Sequence, residues 1–251
     1  MDLDLSGKVF IVTGGSRGLG RATVESLVAE GANVVVSSRN AASLADLEAD
    51  LGPSARGVAV DNSDPKAATE MVARAIQDFG RVDGALISVG GPQAGPLLTS
   101  TEDDWRAAFE SVFLGGLRVA RAVAAAIDGP GSIAFVLSTS VKTPLANLAI
   151  SNGLRPGLAM AAKTLANELG PRNIRVNGLL PGKIATDRLA ELDESTGNPA
   201  SARRNAEANI PLGRYGEPAE FAAAATFLLS PRSSYITGAM LAVDGGVTPS
   251  L

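Results

Sequence analysis

Thr13-Gly14-Gly15-Ser16-Arg17-Gly18-Leu19-Gly20 decides how this chain reads. The β-branched run Val9–Val12 precedes it and a helical pattern, Leu19–Ala29, follows. A glycine-rich turn from strand into helix brings backbone close to a pyrophosphate. Gly14 permits the tight turn, and Gly18 and Gly20 let backbone and helix approach the ligand. The N–H groups at the helix start, from Ser16 and Arg17 to Leu19, then face phosphate oxygens.

Working outward, short apolar runs alternate with longer helical patterns. Val9–Val12, Val34–Val36, Val58–Val60, Ala85–Ser88, Ile133–Leu137, Val176–Leu180 and Met240–Val243 read as strands. They show little alternation, as parallel strands covered on both faces should. Leu19–Ala29, Ala42–Leu51, Pro65–Phe79, Asp103–Ala126, Leu158–Leu169 and Pro218–Leu229 read as helices. The pattern predicts an α/β fold: a single-domain, doubly wound, Rossmann-like parallel sheet of about seven strands over residues 1–251. Pro156 predicts that the helix after the fifth strand starts near it or kinks there. The polar segment Ala185–Asn209 reads as a mobile lid or specificity insert.

Composition narrows the chemistry. The chain has 251 residues, a formal charge of −4, no cysteine and no histidine. Disulfides, thiolate catalysis, Cys/His metal sites and histidine-based triads are excluded, and no metal is called for. A net acidic chain without a basic cluster gives no support to a nucleic-acid partner. No stretch reads as membrane-spanning, and Met1–Leu5 reads as neither signal nor transit peptide. A cytoplasmic protein acting on a small molecule is the expectation.

The end of the second strand chooses between dinucleotides. An NAD site usually places an acid there to accept from the ribose 2′-hydroxyl. Here the residues are Ser37-Ser38-Arg39-Asn40. Arg39, with Arg17 on the same side, offers a guanidinium to a 2′-phosphate, and Ser38 adds a donor. NADP(H) is therefore favoured over NAD(H).

Other motifs now join the glycine turn. Asp61-Asn62 follows the third strand. Ile174-Arg175-Val176-Asn177 leads to Pro181-Gly182, Ile184 and Thr186. Ile210-Pro211-Leu212-Gly213-Arg214, Tyr235-Ile236-Thr237-Gly238 and Val243-Asp244-Gly245-Gly246 fill the last third. On these motifs the chain resembles the short-chain dehydrogenase/reductase family, particularly its 3-oxoacyl-(acyl carrier protein) reductase-like members, over nearly its whole length. The resemblance implies that Asp61 and Asn62 contact adenine, that Gly90, Pro181, Gly182 and Ile184 line the cofactor, and that Thr186 contacts the nicotinamide amide. It also implies a homo-oligomer, a tetramer or dimer.

The reaction positions depart from that family, which normally uses Asn, Ser, Tyr and Lys. Ser138 is kept, but Ser151 stands at the Tyr position, Arg155 at the Lys position and Val112 at the Asn position. Neither Tyr215 nor Tyr235 lies near Ser138 in sequence, and both read as structural. A serine hydroxyl is a far weaker acid than a phenol, and arginine does not release its proton. Ser138 and Ser151 can still hydrogen-bond a carbonyl oxygen, and Arg155 can fix the ribose or stabilise an anion. Lys142 is the spare candidate. Desolvated beside Arg155, it could donate the proton directly or through water. A divergent branch of the family carries a similar Ser-Val-Lys and Ser-Asn-x-x-Arg pattern, which implies a rebuilt site. The chain is read as an NADP(H)-dependent oxidoreductase of a small carbonyl or alcohol with an atypical proton pathway. The alternative is a catalytically silent NADP(H)-binding sensor or partner protein.

Overall fold

The computed structural model describes residues 2–249; Met1, Ser250 and Leu251, at the ends of the expected domain, lie outside them. Seven parallel strands form one sheet in the order β3-β2-β1-β4-β5-β6-β7. They are β1 (Val9–Thr13), β2 (Asn33–Ser38), β3 (Ala55–Ala59), β4 (Gly84–Ile87), β5 (Gly131–Val136), β6 (Ile174–Pro181) and β7 (Met240–Val243). β1 pairs with β2 on one side and β4 on the other, so the chain reverses its winding there. A crevice opens at such a point above the carboxyl ends of the strands.

Helices cover both faces. The first four in chain order are α1 (Gly18–Ala29), α2 (Ala41–Leu51), α3 (Ala67–Phe79) and α4 (Glu102–Ala108). They are followed by α5 (Gly115–Ala126), α6 (Ala149–Leu169), α7 (Asp187–Glu194), α8 (Pro199–Ala208) and α9 (Pro218–Leu229). Strand side chains alternate between two cores. Val9, Ile11, Ala85 and Ile87 pack with residues of α3, α5 and α6, while Phe10, Val12 and Leu86 pack with residues of α1, α2 and α9. Each Val, Ile, Leu or Phe side chain among them, taken wholly from water, contributes about 1.5–3 kcal/mol.

Four expectations need correction. The strand read at Val58–Val60 is Ala55–Ala59, because the edge strand β3 pairs with β2 through the less apolar Ala-Arg-Gly. The helix read over Asp103–Ala126 is interrupted by a π-helical segment, Phe109–Leu114, which contains Val112. Of the two alternatives for Pro156, a helix start near it is overturned: α6 starts at Ala149 and holds Pro156 in its interior. An interior proline costs about 3 kcal/mol or more. Burial of Ile150, Leu154 and Leu158 on both sides of it offsets that. Finally, no helix was read within Ala185–Asn209, yet it contains the helix pair α7 and α8. Thr186 and Asn198 cap these helices through their side-chain oxygens, and Pro199 starts the second at a position that needs no N–H.

Candidate active site

The glycine turn is held from below. Thr13 Oγ1 donates to Ser88 O at 3.0 Å and accepts from Ser88 N at 2.8 Å, tying the end of β1 to the loop leaving β4. Gly14, at φ 60°, leaves no room for a side chain: a Cβ there would stand 2.7 Å from Ser88 O. A Cβ on Gly20 would stand 2.5 Å from Gly14 O, so the helix can pack on the turn only without one. Gly18 lies against the start of α7, its Cβ position 3.6 Å from Thr186 Cγ2. The first turn of α1 holds no acid to fill its own positive end, and Leu19 packs onto the core below. This is a cradle shaped for a close-lying anion.

The rim beside it is polar. Ser16 Oγ donates to Ser38 Oγ at 2.8 Å, joining the turn to the end of β2. Arg39 is exposed and pairs with Asp61 at 3.9 Å. The backbone N–H and hydroxyl of Ser63 hold the Asp61 carboxyl below its ordinary value, helped by Arg39. Asn62 nestles against α5, since a Cβ on Gly115 would stand 2.5 Å from Asn62 O. Gly116 likewise faces Val89, Leu158 and Ile87. These two glycines thus serve contacts within the chain.

At the β5 end the structure brings together most of the predicted reaction residues. Arg155 is buried, and Nη1 donates to Val136 O and Leu137 O at 2.9 Å each. Nη2 donates to Gly90 O at 2.6 Å. Burial pushes the guanidinium pKa down to about 10, so it stays charged at neutral pH. Ser138 Oγ accepts from Ser140 N at 3.1 Å and caps the 3₁₀ turn Thr139–Val141. Ser151 is buried against Ser140, their hydroxyl oxygens 3.2 Å apart. Ser140 was not singled out in the sequence, because only the turn folds it back onto α6. Lys142 follows that turn and is exposed, so the burial expected for it is absent.

The segment leaving β6 lies on the opposite side. β6 ends at Pro181, and a Cβ on Gly182 would stand 2.7 Å from Asp244 Cβ. Ile184 is buried and bridges to Gly216. From α7, Glu191 reaches Arg17 at 3.7 Å and Arg188 at 3.3 Å, and Arg188 Nη2 donates to Pro92 O at 3.1 Å. Glu191 and Arg188 therefore touch both banks of the crevice, a role their spacing alone did not reveal. Near the end of α7 Tyr215 Oη donates to Asp193 Oδ2 at 2.9 Å. Burial, and then that bond, raise the phenol above its ordinary value. Tyr215 is engaged in holding α7, and Tyr235 is fully exposed.

Fold and cradle together define an α/β protein of the dinucleotide-crevice class, and comparison with known proteins fixes the family. A family model described as enoyl-(acyl carrier protein) reductase matches residues 14–248. The chain is 33% identical over 249 residues to 2,5-dichloro-2,5-cyclohexadiene-1,4-diol dehydrogenase of Sphingobium indicum, covering 98% of each chain. It is 31% identical over 247 residues to the 3-oxoacyl-[acyl-carrier-protein] reductase FabG of Salmonella typhimurium, covering 98% of this chain and 99% of that one. The crystal structure of L-sorbose reductase from Gluconobacter frateurii, complexed with NADPH and L-sorbose, superposes with a TM-score of 0.92 at 30% identity over 100% of both chains. The chain belongs to the short-chain dehydrogenase/reductase family and is an oxidoreductase of that class. Among the described residues no helix is long and apolar enough to cross a membrane, and no group of acids could hold a metal ion.

Proposed function

We propose that this chain is an NADP(H)-dependent oxidoreductase that moves hydride to or from a small carbonyl or alcohol, with a proton pathway that uses no tyrosine. One observation carries the reading. The Cβ-intolerant turn at Gly14 and Gly20 sits at the reversal of the sheet, beside a β2 end that offers Ser38 and Arg39 and no acid. A pyrophosphate fits against the α1 N-terminus, and a 2′-phosphate fits Arg39, Ser38 and Arg17. NAD(H) would forgo that charge pairing. Asp61 and Asn62 stand for adenine, and Gly90, Pro181, Gly182, Ile184 and Thr186 line the far end. The NADPH in the complex of the sorbose reductase supports this choice.

The bound nicotinamide supplies or takes the hydride; the rest falls to the chain. Ser138 keeps its hydroxyl hydrogen to donate, because its oxygen is the atom that caps the turn. The Ser140–Ser151 pair can pass a hydrogen bond from the buried side. Lys142, at the mouth, is the ionisable group nearest in sequence to Ser138 that can release a proton to a carbonyl oxygen, directly or through water. The resemblance adds a homo-oligomer, dimer or tetramer, and the expected compartment is the cytoplasm. The apolar groove of Leu114, Leu117 and Leu165 between α5 and α6 suits a second copy.

A silent NADP(H) sensor or partner protein is favoured by a different observation: both phenols lie away from the reaction end, Tyr215 in the lid root and Tyr235 in solvent. Spectrophotometric turnover of NADPH over a panel of ketones, with calorimetry of NADPH binding, separates the two. Turnover with binding supports the enzyme. Binding without turnover supports the sensor, and absence of binding removes both.

A further inference from the structure

Arg155 occupies the place where the resemblance puts a lysine, yet its hydrogen bonds go to the main chain. Every hydrogen bond described above for its guanidinium ends on a main-chain carbonyl: Val136 O and Leu137 O at the end of β5, and Gly90 O in the loop leaving β4. β4 and β5 are neighbours in the sheet, but past their ends their loops part company. One becomes the crevice edge of Gly90–Pro96, and the other becomes the turn Thr139–Val141 that presents Ser138 and Ser140. Beyond a strand end the ladder no longer supplies donors, and a buried carbonyl without one is costly. A planar fork can serve carbonyls from two strands at once, whereas an ammonium is a single point.

The chain uses the same device far from the crevice. Arg175 on β6 donates to Leu228 O at 2.8 Å, Ser230 O at 2.9 Å and Ser233 Oγ at 2.6 Å, closing the carboxyl end of α9. Burial pushes its pKa down to about 10 as well. There the role is plainly architectural, since nothing of the site lies beside it. Arg155 performs the same task where the geometry matters for reaction. It also sits one helical turn after Ser151 on α6, so whatever fixes Arg155 fixes the Ser151–Ser140 pair.

We propose that Arg155 is a positioning residue, a clasp that pins the loops leaving β4 and β5 to α6 and thereby sets the width of the crevice at its reaction end. It acts on substrate and nucleotide through Gly90, Ser138 and Ser151 and touches neither itself. The consequence for nucleotide binding rests on the NADP(H) reading; the clasp itself does not.

The test uses wild-type protein, Arg155→Lys and Arg155→Ala. Hydrogen–deuterium exchange is measured without nucleotide, and the Kd for NADPH by fluorescence. The clasp predicts that both variants exchange about tenfold or more faster in segments 88–96 and 137–145, while 14–38 is unchanged. It predicts weaker NADPH binding in both. Millimolar ethylguanidinium, but not propylammonium, should restore protection and NADPH affinity to Arg155→Ala. Arg155→Lys with wild-type exchange and equal or tighter NADPH binding would overturn the proposal, for then a point cation facing the ligand suffices. Equal rescue by both cations would overturn it too. Should Arg155→Ala not fold, the exchange of Arg155→Lys decides alone. A wild-type protein that binds no NADPH defeats the proposed function, and the exchange arm still judges the clasp.

Discussion

The two ends of the crevice are built to different rules. At the β1–β2 end the structure works by absence: Gly14 and Gly20 lack the Cβ that would strike Ser88 O and Gly14 O, and the β2 end lacks an acid. At the β5–α6 end it works by substitution. A buried guanidinium and paired hydroxyls, Ser140 and Ser151, stand where the resemblance expects an amine and a phenol. The two ends make different demands on the chain. Backbone amides that hold a phosphate need only the right turn, whereas a proton donor needs a group of suitable acidity in reach.

Several substitutions would break or sharpen this contrast. The largest effect is expected of Lys142→Ala. If Lys142 supplies the proton, kcat should fall by about 10²–10⁴ with the NADPH Kd unchanged. Unchanged turnover would assign the proton to water through the serines. Gly20→Ala should strike the other end: a Cβ 2.5 Å from Gly14 O forces the turn to move. Stability should drop by about 1–3 kcal/mol in urea unfolding. NADPH affinity should fall about tenfold or more by calorimetry, and wild-type affinity would show the cradle is elsewhere.

Arg39→Ala should narrow the ratio of NADP(H) to NAD(H) affinity. A charge-assisted bond of about 1.5–3 kcal/mol corresponds to a factor of about 10 to 100, and an unmoved ratio would leave Arg39 a surface charge. Ser151→Ala leaves Ser140 without its buried partner and should cost about 1 kcal/mol of stability. Its kcat tells whether the pair relays as well as packs.

The smallest effect is a pH dependence. The bonds from Ser63 hold the Asp61 carboxyl below its unfolded value of 3.8. The stability it contributes is therefore present above that value and is lost as pH falls through the lower folded one. Asp61→Asn should flatten the part of the acid limb that lies below the unfolded carboxyl value of 3.8, read from urea midpoints. An unaltered limb would mean that the Ser63 bonds persist in the unfolded chain.

Legibility followed the same division. The glycine turn and the strand runs were readable because they depend on neighbours in sequence: turn conformation, periodicity, strand then helix. The edge strand β3 was misplaced because Ala55-Arg56-Gly57 pairs by position in the sheet and not by apolar character. Pro156 misled about α6 because a local penalty is outweighed by side chains buried on both sides of it. The lid looked like a polar loop, yet Asp193, Tyr215 and Lys183 meet at its root and give two polar helices an anchor. Lys142 looked like a candidate for burial and proved exposed, since the inward turn stops at Ser140.

Residue order alone was enough for a doubly wound sheet with a glycine turn after its first strand, and for the expectation that Ser151 and Arg155 stand where the resemblance puts a tyrosine and a lysine. Those are properties of residue type and local order. Only the tertiary structure decided what the replacements do. It turned Arg155 onto three carbonyls at and beyond the ends of β4 and β5, set Ser140 against Ser151, and laid Glu191 between Arg17 and Arg188 across the crevice. The physical reason is that a hydrogen bond is chosen among the acceptors that packing brings within reach, and those acceptors come from segments far apart in the chain.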